Sequence, residues 1–319
     1  MLSLFSRHNL TDASTIVLSY IHSSPLKDVI RDYPDMEIIK SHPEYNVNDA
    51  MKFACMSGHL EIVENLFHPM CEENVCDGDD SLIVIAAEYG HLDIVVYLDN
   101  ISLDGFHYNL AINVACEKGH TDVVRYLYEN ASTSLDNRVL LDASMNGHLE
   151  LVKYLISMGR DTTSFSAFSM LKDDALILAC EEGHLDIVKY LVFNGANADA
   201  KDNEPVCTAA EYGHMRIVLF LVKEGADVRA QDGAAAIGAS DNGHLDMVKY
   251  LVRKGVDIRA HDDCSLHGAA YSGHLDVVKY LVGKGADVRA QDDEIIQAAI
   301  MGDNPDIVEY LLSMGAVIT

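Results

Sequence analysis

The chain has 319 residues, with 23 Lys plus Arg against 50 Asp plus Glu and a formal net charge of -27 at pH 7. A surface this acidic repels a phosphate backbone, which excludes nucleic-acid binding as a main activity. Apolar residues make up 49% of the chain, too much for a disordered acidic tail, and no run approaches the ~18 apolar residues that cross a bilayer.

Met1 to Leu10 lack the charged start and sustained apolar stretch of a secretion signal. Seven cysteines without paired spacing fit reduced thiols in a cytosol-like compartment. Residues 1–48 contain an apolar stretch, Thr15 to Ile21, and a fragment, Met36-Glu-Ile-Ile-Lys40, that mimics a motif repeated downstream. They read as a degenerate repeat plus a cap that covers the apolar face of the first full unit.

Residues 49–319 read as an array of nine units. Gly-His recurs at Gly58, Gly90, Gly119, Gly147, Gly183, Gly213, Gly243 and Gly273, with spacings of 32, 29, 28, 36, 30, 30 and 30. A ninth copy, aligned on Gly302, lacks the histidine. Alanine stands four residues before each glycine, as at Ala179, Ala209 and Ala269, and a small residue follows it. Leu-Asp-Ile-Val-Lys-Tyr-Leu, as in Leu185 to Leu191, comes next.

Two short helices per unit follow from this periodicity. Small residues let first helices approach closely. The glycine ends the first helix in a left-handed conformation, and the histidine is expected to bond local backbone. Acids such as Asp186 and Asp246 suit the positive start of the second helix. Lysines such as Lys153 and Lys249 make i,i+3 pairs with the acids, on the solvent face. A second glycine then opens about eight polar residues that form a finger.

The spacing of 36 marks an insertion near residues 161–172. Phe165, Phe168, Met170 and Leu171 are apolar residues outside the template there. They either fold back as a plug, the preferred reading, or anchor a partner. On the last fingers, Arg229, Arg259 and Arg289 stand in register with Gln231, His261 and Gln291, then with Asp232, Asp262 and Asp292. Mutual neutralisation of these arginines and aspartates is one reading; a recognition strip for a partner protein is the other. The array is read as closing at Thr319 without a C-terminal adaptor domain.

No catalytic, cofactor-binding or metal-binding residues are assigned. Stacked histidines about 8–10 Å apart cannot meet at one zinc ion. His68, Cys71 and Cys76 offer three ligands at unhelpful spacing. Cys55, Cys116 and Cys180 share a slot with Ala and Ser, a packing signature. A tyrosine slot, from Tyr97 to Tyr310, accepts Phe220, so ring packing is what matters. No dinucleotide fingerprint, phosphate loop or nucleophile elbow occurs.

The units resemble the ankyrin repeat family, through Gly-His-Leu-x-Ile-Val-x-x-Leu followed by Gly-Ala-Asp. The wording Val-Lys-Tyr-Leu-Val and Gly-Ala-Asp-Val-Arg-Ala-Gln-Asp resembles ankyrin arrays of giant amoeba-infecting DNA viruses. The resemblance implies an all-α solenoid of stacked helix-turn-helix units, with fingers shortened by the 30-residue period. It implies a non-enzymatic scaffold that binds a partner protein through the groove of fingers and first helices. The acidity favours a partner with a basic surface. A monomer in the cytoplasm is expected, the host cytoplasm if the source is viral. The rival is a structural or self-associating component, as in a virion.

Overall fold

The computed structural model describes residues 24–32, 34–67, 82–101, 108–130, 138–159 and 165–318, with side chains of 165–169 and 291–292 left aside. Twenty α-helices and no strand occur among the described residues. The chain forms two compact units, Met1–Val139 and Leu140–Thr319.

Among the described residues of the first unit, the helices Leu26–Asp32 and Met36–Ser41 come first. Leu26, Val29, Ile30 and Ile39 are buried there. Glu44 N–H donates to His42 Nδ1 at 3.1 Å, and His42 Nε2 bonds the Ser24 carbonyl at 2.8 Å. A carbonyl only accepts, so this imidazole carries its proton on Nε2. The helix pairs Val47–Ser57 with Leu60–Leu66, Leu82–Glu88 with Leu92–Ile101, and Tyr108–Lys118 with Thr121–Asn130 follow. Asp99 joins the last two pairs: it accepts from the Tyr108 hydroxyl, and from Tyr126 at 2.8 Å. Burial first, and then the Asp99 hydrogen bonds, push both phenols up to about 12.

The second unit repeats the same pair: Arg138–Met145 with Leu149–Gly159, Phe165–Glu181 with Leu185–Phe193, Ala200–Glu211 with Met215–Lys223, Ala234–Asp241 with Leu245–Arg253, Ala260–Ser272 with Leu275–Gly283, and Ala290–Met301 with Pro305–Ser313. First helices of neighbouring pairs pack closely, because their touching face is Ala209-Ala210, Ala239-Ser240 and Ala269-Ala270, all 0% exposed. Second helices bury a narrower stripe, such as Ile187, Val188 and Leu191. The insertion near 161–172 lengthens a first helix, Phe165–Glu181, to 17 residues. At its far end Lys172 is buried and donates to the Asn194 carbonyl at 2.9 Å.

The helix-turn-helix joint is built as the Gly-His spacing predicts, with one correction. Each glycine of the eight Gly-His pairs is left-handed, with φ between 73° and 87°. The histidine N–H closes the cap on the alanine five residues back, as from His214 to Ala209 at 2.8 Å. The imidazole, however, does not bond local backbone. His214 Nε2 reaches the Glu181 carbonyl at 2.8 Å, and His274 reaches Asp241 at 3.1 Å, each in the preceding repeat. His91, His120 and His184 do the same with Met56, Glu88 and Met145. The ring therefore ties two repeats together.

The ninth copy is also displaced by one residue. Gly302 has φ near -77°, and Asp303, at φ 55°, takes the left-handed position. The next residue, Asn304, fills the histidine slot and donates to the carbonyls of Ala270 at 3.0 Å and Tyr271 at 2.8 Å. An aspartate tolerates the left-handed region better than most side chains, so the turn survives without glycine.

Candidate functional site

The fingers are less polar than the composition of their stretch suggests. Ala226 and Val228 point inward and are buried, as are Val256 with Ile258 and Ala286 with Val288. Asp227 and Arg229 alternate outward between them. The chain then turns through consecutive left-handed residues: Lys201-Asp202-Asn203 at φ 47°, 59° and 68°, Gln231-Asp232-Gly233 at 51°, 47° and 86°, and His261-Asp262-Asp263 at 53°, 55° and 61°. Such a run costs about 1–2 kcal/mol per ordinary residue, which explains the Asp, Asn and Gly found in it.

Asn203 and Asp293, at the ends of such turns, act as clips, while Gly233 has no side chain to do so. Asn203 Oδ1 accepts the Asp227 N–H at 2.7 Å, and Asp293 Oδ1 accepts that of Val317 at 3.2 Å. Asp173 Oδ1 does the same for Asn197 at 2.7 Å. These bonds join one finger to the next and hold the shortened fingers in place. The slot is visible in the sequence as Asn203, Gly233, Asp263 and Asp293, thirty residues apart, all types that accept positive φ.

Arginines of the ladder find carboxylates outside the register of Asp232, Asp262 and Asp292. Arg229 pairs with Asp227 at 2.9 Å and 3.0 Å, two residues before it. That bidentate contact holds the Asp227 carboxyl below its usual range. Arg259 lies 3.4 Å from Asp263 and 3.8 Å from Asp287 on the next finger. Arg289 pairs with Asp293 at 3.2 Å. Asp232 and Asp262 instead lie in the left-handed turns. Gln231 Nε2 bridges to the preceding finger, at 3.2 Å from the Lys201 carbonyl and 3.0 Å from that of Asp202. The side chains of Gln291, Asp292, Phe165 and Phe168 lie outside the described residues; their neighbour Met170 is 68% exposed.

Beside the fingers, the ends of the first helices carry acids and aromatics that the ladder reading missed. Glu182, Glu211, Tyr212 and Tyr271 are exposed, and the Tyr212 hydroxyl donates to Glu181 at 3.0 Å. Burial, and then the charge of Glu211, push the Asp241 carboxyl up. Their signal was the residues just before each Gly-His, which differ from copy to copy while the joint itself stays constant.

Burial pushes the Cys180 thiol far up, as packing cysteines require. Among the described residues, no group of three or more His, Cys, Asp and Glu could hold a metal ion. His68, Cys71 and Cys76 lie outside them. No helix of the described residues is long and apolar enough to cross a membrane.

A family model for ankyrin repeats matches residues 51–138, 83–166, 140–232 and 234–319. The chain belongs to the ankyrin-repeat family. Its fold is the all-α repeat solenoid of that family. No curated protein matches the chain. Ankyrin repeats generally mediate protein–protein interaction and are typically non-enzymatic. In this ankyrin chain the constant Gly-His positions build the joint, and the residues just before them, at the first-helix ends, vary from copy to copy.

Proposed function

We propose that the protein is a non-enzymatic scaffold that binds a partner with a basic surface through its fingers and first-helix ends. The supporting observation is the separation of constant from variable residues. Joint residues such as Gly183 and His214 are spent on structure, while Glu182, Glu211, Tyr212, Asp262 and Tyr271 are turned to solvent. Exposed tyrosines beside carboxylates suit a lysine- or arginine-bearing surface, through ion pairs and cation–π contact. The division of the chain into a cap, residues 1–48, and an array, residues 49–319, belongs to this reading, as does a monomer in a cytosol-like compartment. Capture from native cytosol by the full chain and by Tyr212→Ser/Tyr271→Ser/Asp262→Asn tests it. A basic protein retained by the first and lost by the second supports it; identical capture by both ends it.

Self-association is a second reading. Met301, Leu312, Met314 and Ile318 are exposed at 69%, 44%, 48% and 54% on the last repeat. Light scattering over a concentration series separates the two, since the scaffold stays monomeric alone.

A further inference from the structure

The second helices of the array repeat one outward stripe. It reads Asp186, Lys189, Tyr190 in one unit, Asp246, Lys249, Tyr250 in another, and Asp276, Lys279, Tyr280 in a third. Helix Met215–Lys223 departs at all three positions, with Arg216 for the acid, Leu219 for the lysine and Phe220 for the tyrosine. Lys223 completes its stripe. Ile217, Val218 and Leu221 of this helix are buried, so residues 216, 219, 220 and 223 share the outer side.

A fourth departure lies beside these. Phe193, at the end of the preceding second helix, is 70% exposed, the highest value of any large apolar side chain among the described residues. Its ring meets Phe220 edge-on at 5.8 Å and 86°, and Leu219 is 48% exposed. One exposed apolar side chain is ordinary. Here the loss of a lysine, a tyrosine hydroxyl and an acid coincide with an exposed phenylalanine on one spot.

Charge decides what fits there. Met215–Lys223 alone among the described second helices contains no carboxylate, and Arg216 and Lys223 bracket its two apolar residues. The nearest acid in sequence, Glu224, stands 4.0 Å from Lys223. In a chain of net charge -27 this is an island of opposite sign. We propose that it binds an acidic amphipathic segment of a partner protein. Apolar side chains of that segment cover Phe193, Leu219 and Phe220, and its carboxylates meet Arg216 and Lys223. A membrane is a poorer fit, because its plane would extend past the island onto Asp186 and Asp246 of the flanking second helices, whereas one narrow segment lies along Met215–Lys223. This surface is separate from the fingers, and the inference does not rest on the finger-bound partner.

The test uses the full chain and a variant returned to the repeat template, Phe193→Lys/Arg216→Asp/Leu219→Lys/Phe220→Tyr. Neighbouring repeats already carry such residues, so the variant keeps its helical circular dichroism. The probe is a labelled synthetic helix of glutamates with Leu and Phe at i,i+4 spacing, beside a version with lysine in place of glutamate. The acidic peptide binds the natural chain and binds the variant at least about tenfold more weakly; the lysine peptide does not distinguish them. Phe193→Ser, a single exposed change, lowers the same affinity without touching the core. Equal affinity of the acidic peptide for chain and variant, or no binding at all, overturns the proposal. So does sedimentation of the natural chain alone with phosphatidylserine vesicles while the peptide fails, which assigns the island to lipid. A dimer abolished in the variant, again without peptide binding, assigns it to a second copy and likewise overturns the proposal.

Discussion

His214 occupies the space that a side chain on Gly183 would need: a Cβ there would stand 2.5 Å from the imidazole Cε1, while the ring Nε2 holds the Glu181 carbonyl at 2.8 Å. The glycine therefore answers two demands. It takes φ 82° without strain, and it leaves room for the histidine of the next repeat. The same fit recurs at Gly58 under His91 and Gly213 under His244, where the Cβ would come within 2.6 Å and 2.7 Å.

The two demands can be measured apart. Gly255 has φ 83°, and a Cβ on it would meet nothing within 4 Å. Gly255→Ala should cost only the left-handed strain, about 1–2 kcal/mol. Gly183→Ala should cost about 1–2 kcal/mol more, because the His214 ring moves off its carbonyl. Urea unfolding of both single mutants, with His214→Ala and the Gly183→Ala/His214→Ala double, gives the coupling. Equal losses at the two glycines would show that the ring gives way freely.

The first helices rest on their small residues. Ala209 and Ala269 are 0% exposed, each against a neighbouring first helix. Ala209→Leu and Ala269→Leu should each cost about 1–3 kcal/mol by overpacking. A neutral result at both sites in chemical denaturation would place the helix contact elsewhere.

The fold was legible where one residue does one irreplaceable thing. Gly-His marks the joint because only glycine combines positive φ with space for a ring, so helix ends could be placed from spacing. Identity misled in the last copy, where Asp303 and Asn304 do the work of the pair and Gly302 merely resembles it. The histidine's true partner was not legible, since a bond from His214 to Glu181 joins residues in different repeats and depends on how closely first helices stack. The left-handed fingers were missed for a related reason. Asn203, Gly233 and Asp263 hold the signal, yet no periodic apolar pattern marks a turn. The arginine ladder was visible as a register, but the choice of Asp227 over Asp232 for Arg229 follows from that turn.

Histidine in the joint brings a pH dependence. Burial lowers the His244 imidazole below its usual value, with His214 and His274 adding to the effect and a bond to the Glu211 backbone opposing it. A depressed value means that the unfolded chain binds the proton more readily. The contribution of His244 is complete above the unfolded value of about 6.5, and is lost as pH falls through the lower folded one. His244→Asn copies Asn304 and does not titrate. It should cost about 1 kcal/mol at pH 8, with the deficit shrinking toward pH 5. A deficit constant across that range in urea titrations would show that the imidazole titrates alike in the folded and unfolded chain.

Asp263 poses the opposite case. It is 1% exposed and its Oδ1 has no hydrogen-bond partner. Burial pushes its carboxyl up; a hydrogen bond from the Asp287 backbone and the Arg259 charge only partly oppose this. The folded state therefore disfavours the ionised form at pH 7. Asparagine already serves this slot at Asn203, accepting the next finger's N–H at 2.7 Å, and it tolerates positive φ. Asp263→Asn should raise the unfolding midpoint at pH 7 by about 2–4 °C, the scale of removing one poorly satisfied buried group. Arg259 loses its nearer partner but still has Asp287 at 3.8 Å. The gain should fade as pH falls through the raised folded value and vanish below about 3.9, where the natural carboxyl is protonated in both states. Thermal scans of the two proteins at pH 7 and pH 4 check this. A variant less stable at pH 7 would mean that the Arg259 pair outweighs the burial of the charge.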